Sequence, residues 1–382
     1  VEAYITATGR FLPGAPVGND EMEEYIGKAG RASSDLKDQI LTNNGIKTRY
    51  YAIDKQQQTV VSNAAMAAGA VRHAVERAGL APDDVEMLAA ATTLPDLMGP
   101  GHASMVHGEL GYPPMEIITA HGICSSGMMA LKSAYLQVKV GEKATAVSVA
   151  SELASRGFKH TRYEEMKAIS EDGSLPMEAA FLRYMLSDGA GAAVVANAPA
   201  PGRISLRIDW ISLTSYANTQ KACMFFGSKT NSAEKTWGDY PTTAAAALDG
   251  ALAPRQKLSL LPHLVRIGID EYVKLAEAGK FDPDAVTWFP AHYSSERMKT
   301  MLIGELTRRG VSAGRPEAWY SNLTQVGNIG SASIYVILDE MLNEGLIKAG
   351  DTLLCMVPES GRFAISFMHL TAVAGASDEA RA

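Results

Sequence analysis

Residues 124–152 read CSSGMMALKSAYLQVKVGEKATAVSVASE, and residues 328–359 read NIGSASIYVILDEMLNEGLIKAGDTLLCMVPE. Each stretch starts as a turn of small residues and continues through apolar positions at helical spacing. Each then passes a glycine and closes as an apolar strand ending in glutamate. In the first copy Met128, Met129, Leu131, Ala134 and Tyr135 mark the helix, and residues 144–152 the strand. A second pair precedes these two. AGLAPDDVEMLAAATT starts at Ala78 and AGKFDPDAVTWFPAHY at Ala278, placing Val85 opposite Val286 and Ala91 opposite His292. Both run from a helix end through a Pro/Asp turn into a strand. The period is far too long for a solenoid, so the chain reads as one α/β half used twice.

Outward from these pairs, the alternation continues. VEAYITATG starts as a strand, residues 59–79 as an Ala-rich helix, and residues 85–93 and 189–198 as buried strands. In the second half, 258–279 and 331–345 read as helices and 285–293 and 351–359 as strands. The halves are expected over 1–200 and 201–382, with the charged segment 155–186 as an excursion covering the fold.

Composition narrows the function classes. Apolar residues make up 47 % and charged residues 20 % of 382, enough for a large core, and the net charge of −7 disfavours bulk attraction to nucleic acid or anionic membrane. Three cysteines, Cys124, Cys223 and Cys355, form no disulfide framework, and no C-x-x-C or His cluster suggests a metal site. VEAYITATGRFLPG carries no signal-peptide pattern and no apolar run reaches membrane-spanning length. A reducing, cytoplasmic compartment is the expectation.

Three polar residues stand where chemistry gathers in α/β folds, at strand ends and helix starts. Ile117, Ile118, Ala120 and Ile123 predict a buried strand leading to Cys124. At the helix start, free N–H groups and the dipole favour a thiolate. His292 ends an apolar strand and Asn328 precedes a helix. No carboxylate base is expected beside this set, which argues against a hydrolase with an activated water. Thiol, imidazole and amide suit an acyl-thioester intermediate attacked by a carbanion, with two donors stabilising the enolate.

The ordered motifs ATTLPD with a later GP, GICSSGMMAL, SDGAGAAVV, AH, VGNIGSAS and GDTLL resemble the β-ketoacyl-ACP synthase III-type condensing enzymes of the thiolase fold, over roughly residues 3–370. The resemblance implies five-layered αβαβα packing and a homodimer. It implies that Cys124 takes an acyl group while His292 and Asn328 promote decarboxylation of the extender. It implies an oxyanion hole from the backbone N–H groups of Cys124 and Gly361. No cofactor is expected beyond the phosphopantetheine arm of a carrier protein or CoA.

Departures from the family pattern bear on substrate. Beside GIKTR at 45–49, Gln39 and Asn43 stand where the family has a Trp and an Arg that clamp CoA, which favours acyl carrier protein as donor. Arg156 matches the remaining clamp residue, and Arg297 the position that meets the acidic carrier. Gly99 replaces the residue that floors the acyl pocket across the dimer, leaving room for longer or aromatic acyl groups. VPESGRF replaces a Gly-rich run and, with NGIKTRYYAID, resembles the branch making dialkylresorcinol or stilbene precursors. The expected activity is Claisen condensation of a Cys-bound acyl group with a malonyl- or β-ketoacyl-ACP, with or without cyclisation to a cyclohexanedione. The alternatives are acyl transfer to oxygen or nitrogen, and a non-catalytic acyl-ACP-binding subunit.

Overall fold

A computed structural model describes residues 1–376, so residues 377–382 of the expected C-terminal half lie outside the described residues. Ten strands carry the architecture: β1 (Tyr4–Phe11), β2 (Met87–Thr92), β3 (Glu116–His121), β4 (Thr145–Glu152), β5 (Gly189–Ala196), β6 (Ile204–Ser215), β7 (Phe289–Pro290), β8 (Trp319–Tyr320), β9 (Thr352–Glu359) and β10 (Ala364–Ala374). The principal sheet runs β9-β10-β6-β1-β5-β4-β2-β3. Parallel bridges Trp288–Leu353 and Ala291–Met356 set β7 beside β9, and β8 pairs parallel with β7. The first half thus has the order β1-β5-β4-β2-β3 and the second the order β6-β10-β9-β7-β8, the same topology twice. The registers match too. Met87 faces Ala146 and Ala90 faces Val149, as Trp288 faces Leu353 and Ala291 faces Met356. On that register His292 is the counterpart of Ala91, and Glu359 of Glu152.

Helices α1 (Asn63–Ala78) and α2 (His102–Leu110) cover the first sheet from outside; α4 (Leu261–Glu277) and α5 (Glu296–Arg308) do so for the second. Between the sheets lie α3 (Ser126–Val140) and α6 (Ser333–Asn343). This is the five-layered duplicated α/β arrangement. Each β-strand alternates its side chains between two apolar seams. Met87, Ala89 and Ala91 join Leu353, Cys355 and Val357 around α3 and α6 in the central seam. Leu88 and Ala90 pack outward against α1, and Leu354 and Met356 outward against α4. Burial on both faces is why these strands read as continuous apolar runs rather than alternating ones.

Two local expectations fail. The strand before Cys124 is β3, the sheet edge, with Ile117 36 % and Ile118 40 % exposed. An edge has one neighbour, so apolar residues there are not evidence of burial within the chain. The strand expected over 285–293 shrinks to Phe289–Pro290, because Pro290 offers no N–H and only scattered ladder bonds form around it. Segment 155–186 is made of short turns and the helices Lys167–Asp172 and Met177–Met185.

The central helices meet at their starts. A Cβ on Gly127 would lie 2.2 Å from the Ser331 carbonyl oxygen. The buried Tyr335 hydroxyl donates to the Gly127 carbonyl at 2.7 Å and contacts Ser148 Oγ at 2.6 Å. Gly127→Ala must push backbone against backbone, so it is expected to destabilise the fold by about 3 kcal/mol, the upper end of overpacking costs. A lowered urea midpoint with unchanged slope checks this.

Candidate active site

Cys124 sits between β3 and α3, on a turn that the second half holds in place. The Ser125 N–H donates to Glu359 Oε2 at 3.0 Å, Ser125 Oγ donates to the Val357 carbonyl at 3.2 Å, and Ser366 Oγ donates to Ser125 Oγ at 2.9 Å. His292 follows β7, and its N–H donates to the Met356 carbonyl at 3.0 Å. Asn328 opens the turn before α6. Its carbonyl accepts from the Ser187 N–H at 2.8 Å and its Oδ1 from the Gly330 N–H at 2.8 Å. With Oδ1 engaged, the side-chain N–H₂ is the group left for a ligand. Three elements from different parts of the chain thereby bring Cys124, His292 and Asn328 to one cavity of about 960 Å³, part of it open to solvent. Its other walls are mainly apolar, among them Leu153, Phe158, Met185, Phe225, Leu264 and Met298.

The electrostatics correct the expected thiolate. Burial pushes the Cys124 thiol well above its ordinary value, and the nearby carboxyls Glu359 and Glu152 push it the same way. The helix start is outweighed by these two groups and by the loss of water. His292 is pushed down to about 4 by burial, so its ring is neutral at pH 7. Among the described residues its ring nitrogens have no protein partner. Glu152 is raised to about 7 by burial, against hydrogen bonds from Ser331 and Thr93 that lower it. It lines the cavity with the other three, so the expectation of a site without a carboxylate is overturned. The sequence signal was present: both copies of the repeat close their strand with glutamate.

Gly361 lies in the β9–β10 hairpin against the nucleophile turn; a Cβ there would lie 2.7 Å from Ile123 Cγ1 and 2.9 Å from Glu359 Oε1. Among the described residues, neither the Gly361 N–H nor the Cys124 N–H has an acceptor on another residue. Gln39, Asn43 and Arg297 come together on a second cavity of about 1250 Å³, which shares Ser294 and Met298 with the first. Its apolar walls include Ile40, Phe181, Leu261 and Met301. Arg156 reaches neither cavity wall. Its guanidinium donates to Asp96 Oδ1 at 2.9 Å and to the Pro95 carbonyl, and Asp96 accepts the Asn63 and Ala64 N–H groups at the start of α1. Gly99 lies on an exposed loop next to Met98 and lines neither cavity of the single chain. Among the described residues no group of three His, Cys, Asp or Glu could hold a metal ion, and no helix is long and apolar enough to cross a membrane.

Residues 275–363, which contain His292, Asn328 and Gly361, match the family described as 3-oxoacyl-[acyl-carrier-protein] synthase III C terminal. Solved structures share the fold over 97 % of the chain. AbyA1, a tetronic acid condensing enzyme, superposes with TM-score 0.77 at 18 % identity, covering 97 % of this chain and 100 % of that one. OleA of Xanthomonas campestris, solved with bound lauric acid and lauroyl-CoA, gives 0.74 at 18 % identity, covering 97 % and 99 %. The 3-oxoacyl-[acyl-carrier-protein] synthase III of Aquifex aeolicus gives 0.71 at 19 % identity, covering 97 % and 100 %. The chain therefore shares the fold of these condensing enzymes, and its residues 275–363 match that C-terminal family.

Proposed function

We propose that this chain forms a carbon–carbon bond by Claisen condensation between an acyl group on Cys124 and a malonyl- or β-ketoacyl thioester. One observation carries the reading: a buried thiol shares an apolar cavity with a neutral imidazole and an amide whose N–H₂ is uncommitted. Cys124 Sγ attacks the donor thioester carbonyl, and the uncommitted N–H groups of Cys124 and Gly361 take the oxyanion. The donor thiol leaves. A malonyl extender then places its own thioester oxygen against the His292 N–H and the Asn328 N–H₂, which stabilise the enolate left when carbon dioxide departs. A β-ketoacyl extender releases no carbon dioxide and forms its enolate by giving a proton from the carbon between its two carbonyls to solvent. Neutral His292 suits that work because it donates a proton-bearing nitrogen without adding a buried charge. No bound cofactor enters; the reactive arm belongs to the donor.

Acyl carrier protein is the donor this reading prefers. Gln39 and Asn43 offer no aromatic face for an adenine, while exposed Arg297 stands at the outer cavity where an acidic carrier would approach. The unpaired β3 edge, with exposed Ile117 and Ile118 and the nearby Met98 loop, supports a homodimer across it. A reducing cytoplasm keeps Cys124 as a free thiol. A long acyl chain fits the apolar walls of the inner cavity. Cyclisation of the product to a cyclohexanedione is the finer reading supported by VPESGRF.

Mass spectrometry of the protein with acyl thioesters tests the first step. Release of labelled carbon dioxide from a malonyl extender, or a carbon–carbon-linked product from a β-ketoacyl extender, separates condensation from transfer to oxygen or nitrogen. A protein that never acylates would be a binding subunit only. Cys124→Ala is expected to abolish acylation. His292→Ala and Asn328→Ala are expected to retain acylation while condensation falls about a hundred- to a thousandfold. Chain length gives a second test. Each methylene buried in the cavity gains about 0.8 kcal/mol, so medium or long acyl thioesters should outcompete acetyl for Cys124. Gly99→Phe should reverse that order by filling the partner-side floor of the dimer. A third outcome concerns pH. The unfolded His292 titrates near its ordinary value and the folded one near 4, so between these the unfolded chain binds more protons and stability falls as pH drops. Ring ¹⁵N shifts of His292 should stay those of neutral imidazole down to about pH 5.

A further inference from the structure

Glu152 closes β4 at the wall of the inner cavity, buried, beside the three residues already given roles. Its two oxygens are held unequally. Oε1 accepts from Ser331 Oγ at 2.5 Å, the Ser331 N–H at 3.2 Å, Thr93 Oγ at 2.8 Å and the Thr93 N–H at 3.2 Å. Oε2 has only a share of the Thr93 N–H, at 3.2 Å. Among the described residues no Lys, Arg or His pairs with it. The close approach of α6 is possible because Gly330 has no side chain; a Cβ there would lie 3.1 Å from Oε1. The carboxyl is therefore anchored through one oxygen and open at the other. Its counterpart in the repeat differs: Glu359 Oε2 is bound by the Ser125 N–H, and Glu359 is not part of the cavity wall.

Acylation moves a proton. Cys124 begins as a thiol, and the donor leaves as a thiol, so one proton must quit Sγ and reach the departing sulfur. His292 is a poor acceptor, since burial holds it near 4, whereas Glu152 stands near 7. An acceptor closer in basicity to the thiol takes the larger share of such a transfer.

We propose that Glu152 is the proton carrier for Cys124, its Oε2 accepting the Sγ proton as the nucleophile attacks and returning it to the leaving sulfur. The Sγ–carbonyl bond forms, the donor carbon–sulfur bond breaks, and nothing is oxidised or reduced. The inference rests on the acylation of Cys124 proposed above, and it assigns to Glu152 a step that His292 and Asn328 do not perform. The titratable groups that line the cavity with this carboxyl are Cys124 on the α3 turn, whose thiol it acts on, and His292 after β7, while Glu359 from β9 acts on the same thiol. Thr93 after β2 and Ser331 before α6 contribute neutral donors.

The test follows the rate of Cys124 modification from pH 5.5 to 9 by intact mass, with octanoyl-CoA and, separately, with iodoacetamide. Alkylation needs no thioester site, so it reports on Glu152 even if acylation, and with it the proposed function, fails. In the wild type the alkylation rate should rise with pH through an inflection near 7, the deprotonation of Glu152. Glu152→Gln should lose that inflection and run about a hundredfold slower at neutral pH. Ser331→Ala keeps the carboxyl but removes a bond that lowers its pKa, so the inflection should move to higher pH; this arm decides the matter if Glu152→Gln does not fold. Glu152→Gln alkylating as fast as wild type or faster would overturn the proposal, because Glu152 would then only repel the thiolate. An unmoved inflection in Ser331→Ala would overturn it equally.

Discussion

The structure depends on the approach of two helix starts, α3 and α6, at a distance that only glycine at 127 permits. Each helix is preceded by a turn carrying a functional group, Cys124 in one case and Asn328 in the other. Bringing the starts together therefore brings the chemistry together. Tyr335 locks this meeting by reaching both the Gly127 carbonyl and Ser148. The outer layers then follow as cover: each sheet needs one face against the central helices and the other against an amphipathic helix. Asn63–Ala78 and Leu261–Glu277 do the same work in the two halves.

Duplication also explains why the site is asymmetric in chemistry though symmetric in place. The register sets His292 opposite Ala91 in the ancestral plan and Glu359 opposite Glu152. One half kept a small residue where the other has an imidazole. Of the two glutamates, one turns to the backbone of the nucleophile turn and the other to the cavity. Burial then acts on all of them in the same sense, disfavouring charge: carboxyls and thiol rise, imidazole falls. The result is a site that rests with few full charges inside apolar walls.

The repeat made much of the fold legible, because turn, helix, glycine and strand recur in order and because strands buried on both faces read as unbroken apolar runs. Cys124, His292 and Asn328 were legible for the same reason, as polar residues at element ends. What escaped was everything set by partners distant in sequence. Ile117 and Ile118 looked buried, yet edge position is a property of the sheet, not of the strand. Arg156 looked available, but Asp96 engages it across the top of β2. The thiolate expected from helix position ignored Glu359, which lies more than two hundred residues away in the chain. Glu152 was visible as a strand-closing glutamate, but only the packing of Thr93 and Ser331 around it shows that one of its oxygens is held and the other left open.

A sulfur kept protonated has a consequence for durability. Peroxide and stray electrophiles attack thiolates, and oxidation beyond the sulfenic state is not reversed for an ordinary cysteine. Cys124, 8 % exposed and flanked by two acidic groups, presents little of the reactive form to such agents. Any nucleophile that must survive between infrequent encounters with a reaction partner gains by such burial, because the resting sulfur stays chemically quiet.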